Sequence, residues 1–145
     1  MGSISMRTAL TKSRNIPAVK AFQSIDNKKI LQFAEGLGMT PEVSNGRIHE
    51  AHALGAFNGT SPLQMAVAYA AFANGGYYIE PYTVNKIIYN QDGSDEVFTP
   101  TKTRAMQDST AWMITDMLRS GIDNGNIALN KISGVQYAAK TGTSN

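Results

Sequence analysis

The chain has 145 residues, which fits a single domain and is long enough to bury an apolar core. Apolar residues make up 42% of the sequence and charged residues 17%, with a formal net charge of +2, so a disordered chain is excluded. No Lys/Arg-rich run supports nucleic-acid binding, no cysteine is present for a disulfide or a thiolate metal site, and no apolar run reaches the ~18 residues of a membrane span.

Three short helices are predicted in the first third of the chain. Ser5 is a candidate N-cap for a helix that ends near the sequence KSRN, and Pro17 suits the first position of a second helix. Asp26 or Asn27 can cap the third helix. The apolar residues expected on the buried side of this third helix are Ile30, Leu31, Phe33, Ala34 and Leu37. Residues 40–60 are predicted to form loops, since glycine is frequent there.

The clearest helix is predicted in the sequence TSPLQMAVAYAAFANGG. Ser61 is its expected N-cap, Pro62 suits its first position, and the residues NGG end it. Apolar residues fill almost every position between these signals. A helix that is apolar on all sides is normally buried on all sides, which requires more protein than 145 residues readily supply.

Two strand-like runs, YYIEPYTVNKIIYN and EVFTP, are joined by the turn sequence QDGSDE and predict antiparallel pairing. Asp108 or Ser109 can cap a following helix, and a closing strand is expected from about Val135. The order of helices, hairpin, helix and strand predicts an α+β fold in which helices pack with an antiparallel sheet. The residues expected to be buried together on the helix after the hairpin are Trp112, Met113, Met117 and Leu118.

Two sequence patterns partly match known ligand-binding motifs, one for a metal ion and one for a nucleotide. Neither match is complete. The sequence HEAH at 49–52 is one residue short of the zinc-protease spacing and has no evident third ligand, so His49 and His52 are interpreted as solvated loop residues and no metal site is predicted. The sequence GVQYAAKT matches three of the four fixed positions of a phosphate-binding loop. Ala139 stands where that loop needs glycine, and the strand–loop–helix context is absent, so a nucleotide site at Lys140 stays a remote alternative.

The sequence KTGT at 140–143 has the residue types of a carboxylate-binding acyl-transfer site on a strand edge. Lys140 supplies positive charge, and Thr141 and Thr143 alternate onto one strand face, where both hydroxyls can donate to a carboxylate. Gly142 leaves space for a substrate backbone, and a strand N–H can face a developing oxyanion. The sequence SRN at 13–15 is uninformative alone, but it gains meaning when paired with KTGT.

An S-x-N motif followed far downstream by K-T-G-T resembles the penicillin-recognising serine acyltransferases. The sequences ISMRTALTKSRNIPAVK and ALGAFNGTSPLQMAVAYAAFANGGYYIEPY are similar to class A, bifunctional, high-molecular-weight penicillin-binding proteins, and AAKTGTSN extends the resemblance over nearly the whole chain. The resemblance implies that residues 1–145 are part of a transpeptidase domain with the fold shared by penicillin-binding proteins and serine β-lactamases. It also implies that the domain is incomplete at both ends.

The resemblance further implies a peptidoglycan D,D-transpeptidase that works without a cofactor and is a target of β-lactam antibiotics. Ser13 then relays a proton, Asn15 binds the active-site lysine and the substrate amide, and Lys140 sets the positive potential. Thr141 and Thr143 bind the terminal carboxylate of the stem peptide, with Gly142 between them. The N–H of Thr143 forms half of the oxyanion hole.

The family's first motif, Ser-x-x-Lys, has no counterpart, since no serine of this sequence has a lysine three residues later. The nucleophile is therefore expected upstream of these residues, and the isolated chain is expected to be a soluble but inactive fragment. The expected partners are stem peptides, β-lactams and the missing upstream part of the domain. The expected location is the outer face of the bacterial cytoplasmic membrane, with an anchor outside this sequence. A β-lactamase or penicillin-sensing domain is the alternative.

Overall fold

Helices and short antiparallel strands make up the computed structural model, which describes residues 2–58, 60–124 and 134–142. The helices are α1 (Met6–Thr11), α2 (Asn15–Gln23), α3 (Asn27–Gly36), a 3₁₀-helix (Glu50–Leu54), α4 (Pro62–Ala73) and α5 (Asp108–Asp123). The strands are β1 (Tyr77–Ile79), β2 (Lys86–Ile88), β3 (Asp95–Val97) and β4 (Lys102–Arg104). This composition confirms the predicted α+β class.

Local capping signals place most helix starts where the sequence predicts them. Ser5 accepts a hydrogen bond from a first-turn N–H of α1, and Asp26 does the same for α3. At α4, Ser61 and Gln64 form a reciprocal capping box, which satisfies two otherwise unpaired N–H groups. The expected start of α2 at Pro17 is wrong, because the helix begins two residues earlier, at Asn15. A first-turn proline is still tolerated, since the N–H it lacks would have no helical partner.

The strands form two separate two-stranded antiparallel sheets. Strand β2 pairs with β3, with Lys86 opposite Val97, which confirms the hairpin predicted around QDGSDE. Strand β1 pairs instead with β4, with Tyr77 opposite Arg104. The first predicted strand-like run is therefore divided between two sheets. Pro81 lies between the two parts and has no N–H for a ladder, which explains the interruption.

A small core lies where α4 and α5 meet the ends of α3 and β4. Its buried members are Leu37, Ala68, Ala71, Met106 and Ala111.

The predicted burial of Trp112, Met113 and Phe33 is wrong, since their exposed fractions are 67%, 53% and 42%. On α5 the buried face is set by Ala111 and Leu118, and each residue turns ~100° about the helix axis, which carries Trp112 and Met113 away from that face.

The apolar helix α4 buries only two small residues on its inner side, Ala68 and Ala71, and leaves Leu63 60% exposed. Among the residues that the structure describes, no helix combines the length and apolar character needed to cross a membrane.

Gly76 joins α4 to β1 at a very close approach of two backbone segments. Its carbonyl accepts hydrogen bonds from the N–H groups of Ala105 at 2.9 Å and Met106 at 3.1 Å, which ties the end of β4 to the end of α4. Its φ is +87°, and a Cβ at this position would lie 2.3 Å from the Met106 carbonyl oxygen. Only glycine therefore fits here without displacing the backbone.

Candidate active site

The two predicted motifs meet through one hydrogen bond across the length of the chain. The Nζ of Lys140 donates to the Oγ of Ser13 at 2.8 Å, although the two residues are 127 positions apart. The same ammonium donates to the carbonyl oxygen of Thr141 at 2.9 Å. A hydroxyl in contact with an ammonium can pass a proton to a third group, so the contact has the elements of a proton relay.

Ser13 lies in a helix-ending turn that normally takes glycine. The N–H of Ser13 donates to the carbonyl of Leu10 at 3.1 Å, and the N–H of Arg14 donates to the carbonyl of Ala9 at 2.9 Å. These two bonds define a Schellman motif, in which the residue after the C-cap is left-handed. Ser13 fills that position with φ +49°. A serine accepts this conformation at a cost of about 1–2 kcal/mol, a type of strain that clusters at functional sites.

Replacing Ser13 with glycine is expected to leave the free energy of unfolding unchanged or to raise it by up to about 1 kcal/mol. Removal of the left-handed strain stabilises the folded state, and the greater entropy of the unfolded glycine chain offsets part of that gain. If Ser13 relays a proton, as the family resemblance implies, the same change is expected to lower acylation by a β-lactam at least about 10²-fold, because its hydroxyl is lost. Chemical denaturation and labelling by a fluorescent penicillin, both in a complete transpeptidase domain, measure the two effects. Unchanged acylation would exclude Ser13 from the relay.

A cleft of about 650 Å³ surrounds this contact. One wall comes from α1 and the turn into α2, and the other from the end of the 3₁₀-helix, α4 and residues 140–142. Arg14 and Lys140 are the charged residues of the described lining, and no acidic residue belongs to it. The charge therefore favours a ligand with an anionic group. The lining residues are Met6, Ala9, Leu10, Ser13, Arg14, Asn15, Pro17, Ala18, Ala53, Leu54, Gly55, Tyr69, Lys140, Thr141 and Gly142.

Five of the six site residues expected from the sequence line this cleft. Ser13 and Lys140 are in contact, and Asn15, Thr141 and Gly142 lie around them. A Cβ built at Gly142 would meet no atom within 4 Å, so this position borders open space. The sixth residue, Thr143, lies outside the described residues.

The predicted closing strand does not form within residues 135–142, which have no regular secondary structure. A strand needs a neighbour to pair its N–H and C=O groups, and none of the four described strands lies alongside this segment. Lys140 therefore contacts Ser13 from a segment without regular secondary structure rather than from a sheet.

Tyr69 is a cleft residue that the motifs did not indicate. It lies on α4 and packs edge-on against Phe72, with the ring centroids 5.7 Å apart. Partial burial raises the pKa of the Tyr69 hydroxyl above its usual value, because the phenolate is poorly solvated there. The sequence feature that could have indicated Tyr69 as a cleft residue is a tyrosine in the middle of a mostly apolar helix.

Two side-chain contacts position the 3₁₀-helix that forms one edge of the cleft. The amide of Asn27 exchanges two hydrogen bonds with the backbone of Ile48, at 2.9 and 2.8 Å, and Gln23 donates to Glu50 at 3.1 Å. In the two hydrogen bonds between Asn27 and Ile48, the side-chain amide pairs with the backbone N–H and C=O as a neighbouring β-strand would. The loop before the 3₁₀-helix is therefore fixed to the start of α3.

The prediction that the histidines of HEAH are solvated is confirmed for His49, which is exposed, and is wrong for His52. The Nδ1 of His49 accepts from the N–H of Ala51 and caps the 3₁₀-helix. His52 is half-buried, and its ring lies 5.4 Å from that of Phe57. Within the described ranges, no group of three or more His, Cys, Asp or Glu residues is arranged to hold a metal ion.

Comparison with known proteins assigns the chain to a family. The penicillin-binding protein transpeptidase domain matches residues 1–145. Penicillin-binding protein 1A/1B of Bacillus subtilis (strain 168) is 47% identical over 148 residues, and penicillin-binding protein 1A of Streptococcus oralis is 38% identical over 151 residues. These alignments cover 100% and 99% of this chain but 16% and 23% of the relatives. The chain belongs to the family of penicillin-binding protein transpeptidase domains, and it spans less than a quarter of those two relatives.

Solved structures agree with this assignment at the level of the fold. The D,D-transpeptidase domain of a peptidoglycan glycosyltransferase from Eggerthella lenta superposes with a TM-score of 0.80 at 24% identity, covering 99% of this chain and 42% of that one. The penicillin-binding protein PBPA of Mycobacterium tuberculosis gives a TM-score of 0.74 at 23% identity, covering 97% and 37%. The predicted resemblance to penicillin-binding proteins and the predicted transpeptidase fold are both confirmed.

Proposed function

We propose that this chain supplies the second and third motifs of a peptidoglycan D,D-transpeptidase, with residues 1–145 as part of that domain. The observation that carries the proposal is the hydrogen bond of 2.8 Å from Lys140 to Ser13, which joins the S-x-N and K-T-G sequences in one cleft. Membership of the transpeptidase family supports the reaction class. The cationic lining supports a substrate that ends in a carboxylate, as a D-Ala-D-Ala stem peptide does.

In the proposed reaction, a serine hydroxyl attacks the carbonyl of the penultimate D-Ala, and the bond to the terminal D-Ala breaks. The terminal D-Ala leaves with the proton that Ser13 relays, and an acyl-enzyme remains. The amine of a second stem peptide then attacks the ester, passes its proton back and releases the serine. Asn15 holds the substrate amide, Lys140 stabilises negative charge, and Thr141 and Thr143 bind the carboxylate. A β-lactam enters the same first step and stays as a stable ester.

The attacking serine and its lysine base come from outside these 145 residues in this proposal. No Ser-x-x-Lys occurs in the sequence. The threonine versions at 83–86 and 99–102 each end at the first residue of a strand, β2 and β4 respectively, and neither lines the cleft. Residues 1–145 alone are therefore proposed to be inactive in acyl transfer. The proposal also places the complete protein at the outer face of the bacterial cytoplasmic membrane, held by a segment outside this sequence.

Residues 1–145, produced alone, are expected to take no covalent label from a fluorescent penicillin, because they contain no activated nucleophile of the family type. A complete domain that includes a Ser-x-x-Lys segment is expected to be labelled at one serine of that segment. Gel fluorescence and mass spectrometry of the labelled peptide measure both results. Labelling of the short chain at Ser13 would contradict the proposal, because Ser13 and Lys140 would then act as a complete serine–lysine pair.

The same experiment separates the transpeptidase from the β-lactamase alternative. A β-lactamase would release the label as hydrolysed product within repeated turnovers, whereas a transpeptidase keeps it as an ester. The names of the similar proteins support the transpeptidase. The nucleotide-site alternative gains no support from the backbone, since residues 135–142 contain no strand that leads into Lys140. Thermal stabilisation by ATP is not expected.

A further inference from the structure

The turn that carries Ser13 is connected to a distant helix by one arginine. Arg7 lies on α1, six residues before Ser13, and its guanidinium makes three hydrogen bonds to α5. Its Nη1 donates to the carbonyl oxygen of Asp116 at 3.0 Å and to the Oγ of Ser120 at 2.6 Å, and its Nη2 donates to the carboxylate of Asp116 at 2.5 Å. Asp116 and Ser120 are one helical turn apart, so the planar guanidinium holds one full turn of α5.

We infer that Arg7 is a positioning residue, whose contacts with α5 fix the Ser13–Asn15 turn at the cleft. The inference rests on the proposed transpeptidase function and names a residue outside its motifs. Arg7 does not line the cleft and touches neither Ser13 nor Lys140 in any recorded contact. It acts through the orientation of α1.

Helix α1 is oriented by its packing against α5, and Arg7 contributes three hydrogen bonds to that contact. It has six residues, far fewer than an isolated helix requires, and Ala9 is its one buried residue. Its last turn leads directly into the left-handed Ser13, a conformation that persists only where the surroundings impose it. A small rotation of α1 would therefore move the Ser13 hydroxyl away from Lys140.

Helix α5 is a suitable anchor because it also supports the opposite side of the cleft. It buries Ala111, Leu118 and Ile122 and packs against α4. The hydroxyl of Thr115 lies 3.4 Å from the carbonyl oxygen of Phe72, three residues after the cleft residue Tyr69. Through Arg7, the S-x-N turn and α4 are thus held by the same helix.

The ion pair of Arg7 with Asp116 is exposed enough that an effect on position can be told apart from an effect on stability. The side chains of Arg7 and Asp116 are 47% and 34% exposed, and pairs of this kind contribute little to stability because water screens them. A large effect of Arg7 on acylation would therefore reflect geometry. The ion pair of Lys86 with Asp95 is a matched control, since it has side-chain exposures of 44% and 49% and lies in the β2–β3 hairpin, away from the cleft.

The test uses a complete transpeptidase domain that contains these residues, with the variants Arg7→Ala, Arg7→Lys and Asp116→Asn and the control Lys86→Ala. Acylation by a fluorescent penicillin is followed over a range of concentrations, so that the acylation rate constant and the apparent dissociation constant are obtained separately. Arg7→Ala is expected to lower the rate constant at least about tenfold, because misplaced reacting groups lose orientation, and to leave the dissociation constant within about threefold. Arg7→Lys is expected to lie between Arg7→Ala and wild type, since lysine keeps the charge but not the planar fork.

The following results decide the inference. The melting temperatures of Arg7→Ala and Lys86→Ala are expected to fall by similar small amounts, while only Arg7→Ala loses acylation. An Arg7→Ala protein that is folded and acylated at the wild-type rate, or one whose loss matches the fraction unfolded, overturns the positioning role. If Arg7→Ala does not fold, Arg7→Lys and Asp116→Asn decide in the same way, and wild-type rate constants in both overturn it. A wild-type domain that takes no label at all contradicts the proposed function instead.

Discussion

Replacing Lys140 with alanine in a complete transpeptidase domain is expected to lower the rate of acylation by penicillin about 10³-fold. The ammonium is within hydrogen-bond distance of the Ser13 hydroxyl and is one of two cations among the described residues that line the cleft. In the proposed reaction, its loss removes both a member of the proton relay and the positive charge that would face a substrate carboxylate. Stopped-flow or gel-based labelling with a fluorescent penicillin measures the rate, and a melting curve shows whether the variant is folded.

The matched control for this experiment is Lys12→Ala. Lys12 is next to Ser13 in sequence and exposed, and it does not line the cleft, so its removal changes the net charge equally without changing the site. Acylation is expected to stay within about twofold of wild type, since an exposed charge outside the site is largely screened. Equal losses in the two variants would show that general charge, rather than the contact of Lys140 with Ser13, sets the rate.

Replacing Gly76 with alanine is expected to cost about 3 kcal/mol or more of the free energy of unfolding. Two costs add: the left-handed φ of +87°, and a methyl group 2.3 Å from the Met106 carbonyl oxygen, which is backbone and cannot rotate away. Because Met106 belongs to the core, the shift needed to relieve the clash would disturb the junction of α4, α5 and β4. Urea denaturation of the domain measures the change.

Gly93 provides the comparison that separates the two costs. Its φ is +70°, close to that of Gly76, but a Cβ there would meet no atom within 4 Å. Gly93→Ala is therefore expected to cost about 1 kcal/mol through its conformation alone. The close contact at Gly76 would be excluded as a source of destabilisation if both variants lost the same stability.

The features that the sequence predicted well are those decided by residues a few positions apart. The predicted N-cap at Ser61 depends on the residues that directly follow it, and the β2–β3 hairpin is set by its own turn sequence. The predicted Ser13–Lys140 site came from pairing two family motifs, since neither was informative alone. The structure brought these two residues into direct contact.

The features that the sequence did not predict depend on partners far along the chain. The pairing of β1 with β4 requires a strand beyond the whole β2–β3 hairpin. The exposure of Trp112 depends on which side of α5 meets α4, and its size alone favoured burial. The contact of Arg7 with Asp116 joins two common charged residues 109 positions apart, and no short pattern marks such a pair.

The separation of Ser13 and Lys140 by 127 positions also affects how the proposed site forms during folding. Helices and the β2–β3 hairpin close short loops and can form early. A contact between such distant residues requires closure of a long loop, which costs more conformational entropy and slows folding. During synthesis, Lys140 leaves the ribosome after almost all of these residues. In a complete transpeptidase domain, penicillin labelling is therefore expected to report only molecules in which this late contact has formed, which makes it a stricter measure of the native population than helix content.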